Sequence, residues 1–373
     1  MLHKLNYINI LHFVLLLTLL ATSETTAQEK PWMFGPFERA ENQQPIIEPD
    51  TTSTFDDPMS GKTVYWESMA TFNPAAIVKD GAIHVLYRAE EKLGDTGIGG
   101  HTSRLGLAVS DDGETYVRED EPIFYPAYDS QKEYEWTGGV EDPRIVETEE
   151  GLYVLTYTQW NREYPRLAVA TSEDLRMWEK HGPIFEDWKD GKYHNMETKA
   201  GAIVTKLKDG KLIAAKINGR YWMYFGVPHV WLASSEDLVN WEPLENYQGE
   251  RASVLNPRPG YFDSWLVEAG PPPVLTENGI VVMYNAGNSQ NIGVPDLGNR
   301  VYTGGQALFD ASEPWKLLDR SDKPFIKPEK AFEKSGQYED GTTFIEGLVW
   351  FKGEWLLYYG TADSRVGVVS WRP

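Results

Sequence analysis

The chain of 373 residues contains no cysteine. That excludes disulfides, thiolate metal ligands, a cysteine nucleophile and a lipid-bearing cysteine. Basic residues are scarce beside acidic ones, 35 against 56, for a formal charge of −21. Nucleic acid and anionic membrane surfaces are therefore excluded as partners. The seven histidines show no metal-ligand spacing, so neither a metal nor any other cofactor is expected. There is no Gly-x-Ser-x-Gly elbow. The glycine-rich Gly94-Asp-Thr-Gly-Ile-Gly-Gly100 lacks the Lys-Ser/Thr of a phosphate loop. It reads instead as a loop over a site, with His101 reaching a ligand. Long amphipathic helices are missing too.

The one conspicuous apolar run, Ile10-Leu-His-Phe-Val-Leu-Leu-Leu-Thr-Leu-Leu-Ala21, is short for a bilayer span. With Lys4 before it and Thr25-Thr-Ala27 after it, the run reads as a secretory signal peptide over 1–27. An uncleaved membrane anchor is the competing reading. A signal implies a periplasmic or secreted bacterial protein, with no membrane insertion after cleavage. Residues 28–60, rich in Pro, Asp and Thr, read as an outer arm, and 61–373 as the main domain.

What the chain has in abundance is short β-like runs between turn signals. Examples are Ile83-His-Val-Leu-Tyr87, Tyr153-Val-Leu-Thr-Tyr157, Ile280-Val-Val-Met-Tyr284 and Trp355-Leu-Leu-Tyr-Tyr359. Hairpin signals such as Lys79-Asp-Gly81 and Lys208-Asp-Gly210 separate them. A phrase recurs: Ala108-Val-Ser-Asp-Asp-Gly-Glu-Thr-Tyr116, Ala170-Thr-Ser-Glu-Asp-Leu-Arg-Met-Trp178 and Ala233-Ser-Ser-Glu-Asp-Leu-Val-Asn-Trp241, about 62 residues apart. Phe309-Asp-Ala-Ser-Glu-Pro-Trp315 is a degenerate fourth copy. A period of roughly 60 with about four strands per unit predicts an all-β, five-bladed β-propeller. A two-sheet sandwich is the rival. In a propeller the inner strands converge on one axis, so residues distant in sequence meet around one ligand. Fourteen Trp and twenty Tyr suit both blade cores and stacking against a sugar ring.

The most telling stretch is Trp136-Thr-Gly-Gly-Val-Glu-Asp-Pro-Arg-Ile145. Two acids follow a glycine pair, and Pro143 biases Asp142 away from helix. A carboxylate is thus presented at a rigid strand entrance with Arg144 beside it, as sugar-cleaving enzymes require.

In order along the chain come Asn73-Pro-Ala, Tyr87-Arg-Ala, Ser103-Arg-Leu-Gly-Leu-Ala-Val-Ser110, Gly138-Gly-Val-Glu-Asp-Pro-Arg-Ile145, Arg166-Leu-Ala-Val-Ala-Thr-Ser172, Lys199-Ala-Gly-Ala-Ile203 and Tyr358-Tyr-Gly-Thr-Ala-Asp363. Together this set resembles glycoside hydrolase family 130, the five-bladed mannoside phosphorylases and mannosidases. The resemblance implies inverting attack on a β-mannoside in an oligosaccharide substrate. It makes Asp142 the proton donor, acting through a mannose hydroxyl, with an acidity balanced between Arg144 on one hand and burial and Glu141 on the other. It also implies that Asn73, Arg88, Arg104 and Asp363 grip the mannose. Arg166, Lys199 and Lys216 match parts of a phosphorylase's orthophosphate pocket.

The sequence departs from the phosphorylases at Asn218-Gly-Arg-Tyr-Trp-Met-Tyr-Phe-Gly226. There Tyr224, Phe225 and Gly226 stand where a histidine and an arginine are common. A base for water is then required, roughly 6.5–9.5 Å from the donor carboxyl. The candidates are Glu268, which resembles the glutamate before a Gly-Pro-Pro turn in exported mannosidases of the family, and Glu197. The expected activity is thus an exported inverting glycosidase acting on β-1,2- or β-1,4-mannosides. The alternative is a β-mannoside phosphorylase. Further readings are a non-catalytic sugar-binding propeller and arabinosidase-like chemistry.

Overall fold

Strands in this protein are apolar on both faces, and that fixes how they assemble. In Gly279–Gly287, Ile280, Val282 and Tyr284 pack to one side, while Val281 and Met283 pack to the other. Side chains alternate across a strand, so a run buried throughout belongs to a sheet covered on both faces. The computed structural model describes residues 30–94, 97–338 and 340–373. The signal peptide expected over 1–27 lies outside them. Residues Trp32–Pro373 form one unit, and it is all-β apart from single turns of helix such as Lys132–Glu135. Among the described residues no helix is long and apolar enough to cross a membrane.

Five antiparallel groups of strands follow one another along the chain. The first comprises Ala70–Lys79, Ala82–Glu90, Ser103–Ser110 and Val117–Arg118. Gly139–Glu147, Tyr153–Trp160, Pro165–Ser172 and Glu179–Pro183 make the second. The third runs through Ala202–Ile203, Arg220–Phe225, Val230–Ser235 and Trp241–Pro243. In the fourth, Leu266–Ala269 and Val274–Thr276 both pair with Gly279–Gly287, followed by Tyr302–Phe309 and Leu317–Arg320. Thr343–Phe351, Glu354–Thr361 and Arg365–Trp371 make the fifth.

Short parallel pairings link the groups: Ser103 with Gly139 joins the first to the second and Tyr302 with Thr342 the fourth to the start of the fifth, while a hairpin of Thr205–Lys208 and Lys211–Ala214 bridges the second (Ile213 with Glu147) to the fourth (Thr205 with Val274). Each of five apolar clusters is shared by two successive groups, and one joins the fifth to the first through Val349, Phe351 and Tyr358 against Ile83, Val85 and Tyr87. The early residues run beside the last strand. Glu38 pairs with Ser370 and Ile47 with Val366, while Phe34 packs between Trp355 and Trp371.

The recurring phrase is one turn built three times. Ser110, Ser172 and Ser235 each accept the main-chain N–H three residues on, at 2.8–2.9 Å. Asp112, Asp174 and Asp237 each accept the N–H groups two and three residues on at 2.8–2.9 Å. Short polar side chains that close their own turn explain why this spacing shows in the sequence.

Candidate active site

Three residues at the centre of the site share an unusual backbone. Asn73, Asp142 and Asp363 have φ of 46°, 49° and 48°. Asn and Asp tolerate this left-handed region better than other L residues, at a cost of about 1–3 kcal/mol each. Two of them sit where the ladder skips: between Phe72 and Pro74, and between Glu141 and Arg144. Bulges re-aim a side chain out of the sheet's alternation. In both, the residue after the special Asn or Asp is proline, which needs no ladder N–H. Gly139 is also required, because a Cβ there would meet the Ser103 carbonyl oxygen at 2.1 Å.

These residues open into a cavity of about 520 Å³, within the range of small-ligand sites. One side is polar and tightly bonded. Asp142 accepts hydrogen bonds from Asn73 Nδ2 at 2.8 Å and Arg88 Nη1 at 3.0 Å. Arg88 also donates to Glu90 at 2.6 Å, Glu141 at 2.7 Å and Ser103 Oγ at 3.0 Å. Another part of the lining carries Lys199 and Glu268, whose Nζ and Oε1 are 3.4 Å apart. Trp160, Arg300, Tyr302, Tyr338 and Phe344 line the remainder with Ile98 and Gly99. Trp160 donates to the Gly99 carbonyl at 3.0 Å, tying the glycine-rich loop to the wall.

The acids are differentiated. Burial pushes Asp142 up, but Arg88, Lys199, Asn73 and Arg144 outweigh it, so its carboxyl lies below the ordinary range. Glu141, one residue away, is pushed up by burial and by Asp142 and Glu90, against Arg88. Burial likewise raises Glu268, with Lys199 and Arg144 opposing, and raises Asp363 to about 6. The Glu268 carboxylate in turn holds Lys199 firmly protonated. The middling acidity expected of Asp142 is thus corrected downward. The main cause is Arg88 across the sheet rather than its neighbour Arg144, whose guanidinium turns below the cavity.

Of the site residues read from the sequence, Asp142, Glu268, Glu197, Asn73, Arg88, Asp363 and Lys199 all line this one cavity. Glu268 is buried, whereas Glu197 is exposed at the mouth. Arg104, Arg166 and His101 are not in the lining. Ser103 points at Arg88 and Glu141, so the next residue of the strand points away. Arg104 accordingly pairs with Asp57 and Glu91. Arg166 lies over the rings of Tyr134 and Tyr164 and donates to the His194 carbonyl. His101 is buried, and its Nδ1 accepts the Leu93 N–H. Lys216 is exposed over Tyr221. Sequence reasoning missed Arg300, Tyr302, Tyr338 and the buried Glu346. An acid inside the apolar run Phe344-Ile-Glu-Gly-Leu-Val-Trp-Phe351 was the available signal for Glu346. Among the described residues no cluster of three His, Asp or Glu could hold a metal ion.

A sugar-sized cavity with one depressed and several raised carboxyls, an arginine hub and aromatic walls defines a glycoside-cleaving class of site. The profile of glycoside hydrolase family 130, described as beta-1,4-mannooligosaccharide phosphorylase, matches residues 37–372, and the chain belongs to that family. It is 33% identical over 307 residues to the 1,2-beta-oligomannan phosphorylase of Thermoanaerobacter sp. (strain X514), covering 81% of this chain and 90% of that protein. A solved structure comes from work reporting that this family of mannoside phosphorylases contains glycoside hydrolases targeting β-1,2-mannosidic linkages in Candida mannan. It is 53% identical with a TM-score of 0.91, covering 92% of this chain and 96% of that one. A glycosyl hydrolase from Bacteroides ovatus is also 53% identical, with a TM-score of 0.90 and coverage of 92% and 95%.

Proposed function

We propose that this protein cleaves β-mannosidic bonds with inversion, β-1,2 linkages first, inside a five-bladed propeller. Five antiparallel groups, the parallel pairings that link them and the apolar cluster joining last to first support the ring. One observation carries the chemistry: Asp142 and Glu268, both buried, line the same cavity from different strand groups. Asn73, Arg88 and Asp363 hold the mannose. Asp142 supplies the proton through a sugar hydroxyl. The ligand-free site holds Asp142 ionised, with Glu141 the more basic partner. A sugar that displaces solvent from Asp142 and occupies its hydrogen bonds raises its proton affinity.

The attacking group is the finer question. The family description and the curated relatives are phosphorylases, and they back orthophosphate better than the water expected from the sequence. A specific set of observations favours water. The cavity is lined by five carboxyl groups against three cations, and Lys199 is already paired with Glu268. Arg166 and Lys216 turn elsewhere. A phosphate dianion beside that many acids is poorly compensated. Glu268 lines the cavity, and its buried Oε1, 3.4 Å from Lys199 Nζ, has no further hydrogen-bond partner among the described residues. Export, expected from residues 1–27, agrees, because a sugar phosphate is of use inside the cell. The test is β-1,2-mannobiose cleavage with and without orthophosphate, products resolved by anomer. On the geometry, phosphate-free buffer supports full turnover to two mannoses. Strict phosphate dependence with release of mannose 1-phosphate assigns phosphorolysis and removes Glu268 as base.

A further inference from the structure

Beneath the cavity floor lies an ion pair that lines no part of it. Arg144 is 1% exposed and Glu346 is fully buried. The Arg144 guanidinium spends its donors on three separate strands. Nη1 donates to the main-chain carbonyl of Asp142 at 3.1 Å. Nη2 donates to the carbonyl of Ala269 at 2.9 Å, and Nε to that of Gly270 at 3.0 Å. Nη2 also lies 2.9 Å from Glu346 Oε1. Glu346 is the extra residue of a bulge between Ile345 and Gly347, which turns it inward from the fifth strand group. Its oxygens make no hydrogen bond among the described residues, so Arg144 is the partner that holds it.

Stability alone is a poor explanation for this arrangement. A buried pair is desolvated at a cost of several kcal/mol per ion, and apolar replacements of similar volume are often neutral or stabilising. Position is a better one. Arg144 grips the peptide of Asp142, whose backbone is left-handed, and at the same time the two carbonyls that follow Glu268 in sequence. A rigid planar fork bonded to both strands fixes their separation, and Glu346 fixes the fork. Inverting chemistry depends on that separation, and a misplacement of about 1 Å costs on the order of 100-fold.

We propose that the Arg144–Glu346 pair is a positioning device that sets the distance and orientation between the Asp142 and Glu268 carboxyls. The inference rests on the reading of Asp142 as proton donor with Glu268 facing it. It is tested with Arg144→Met/Glu346→Leu, which removes both charges at similar volume, and with Arg144→Lys and Glu346→Gln. The substrate is β-1,2-mannobiose, in the buffer that supports the parent enzyme. The double variant is expected to fold, by circular dichroism and Tm, with kcat lowered about 100-fold and KM within about threefold. Arg144→Lys, which loses the fork, is expected to fall about 30-fold in kcat, again at constant KM. Glu346→Gln, which keeps an acceptor for Arg144, is expected to stay within about fivefold. A purely structural role would lower Tm and leave kcat per folded molecule unchanged.

Parent-like kcat in the folded double variant overturns the proposal. Where the double variant does not fold, parent-like kcat in Arg144→Lys overturns it instead. Asp142→Asn run alongside separates the two readings. An active Asp142→Asn removes the donor assignment itself. An inactive one beside unaffected Arg144 and Glu346 variants removes only the positioning role.

Discussion

The two sides of the cavity are built differently. Around Asp142, Arg88 reaches four acceptors at 3.0 Å or less, and Asn73 adds a fifth bond at 2.8 Å. Around Glu268 there is one cation, 3.4 Å from the buried Oε1, and no hydrogen-bond partner for that oxygen among the described residues. The donor side is densely bonded, with only Asn73 Oδ1 left over among its buried acceptors. The side of Glu268 is sparsely bonded. A site that must orient one sugar and then admit a small nucleophile needs that asymmetry, because positioning and attack make opposite demands on a side chain.

The comparison breaks most sharply at Asp142. Asp142→Asn should lower kcat by about 1,000-fold or more, the upper range for a general acid, while calorimetry shows mannobiose bound within a few-fold of the parent. Loss of binding equal to the loss of turnover would make the donor side a grip and nothing more. Glu268→Gln should cost about 100-fold in kcat if water attacks, with KM nearly unchanged. Near-parent turnover would move the base role to Glu197 at the mouth.

Smaller effects sharpen the contrast. Arg300 is exposed and lies 4.9 Å over the Trp265 ring, on the looser side. Arg300→Ala should raise KM about five- to tenfold, roughly 1 kcal/mol, and leave kcat within twofold. The smallest effect concerns pH. Glu141 and Asp363 are raised carboxyls, so the folded protein holds protons that the unfolded chain has released. Their contribution is fully present below the unfolded carboxylate values near 4 and is lost as pH rises through about 6 for Asp363 and about 7 for Glu141. The Tm should therefore fall between pH 5 and pH 8, and Asp363→Asn should reduce that fall by about 2 °C.

Much of this was legible in the sequence because local chemistry enforced it. The Ser/Asp turns close on themselves, so their recurrence announced the repeat. Asn73-Pro74 and Asp142-Pro143 stood out because few residues accept a left-handed bulge. Seven of the eleven residues given catalytic or binding roles from the sequence reach the cavity. Arg104 and Arg166 carry the right charge in the right motif, but which face of its strand a residue takes is decided by pairing and packing, which spacing alone does not reveal. Tyr302 went unnoticed because Tyr302-Thr-Gly-Gly-Gln306 is a weak strand former whose place is decided by pairing with Gly279–Gly287. The family description and the curated phosphorylases back the alternative over the hydrolase reading, a choice that hangs on a few cavity charges rather than on the fold.

The contact of the early segment with the final strand has a consequence for biosynthesis. Gln43 is hydrogen-bonded to the Val368 carbonyl, 325 positions away. On the ribosome, Trp32 and Phe34 therefore emerge long before Trp355 and Trp371 exist to cover them. For most of translation these rings stand bare in a partly made polypeptide, a period in which they are open to chaperones and to aggregation.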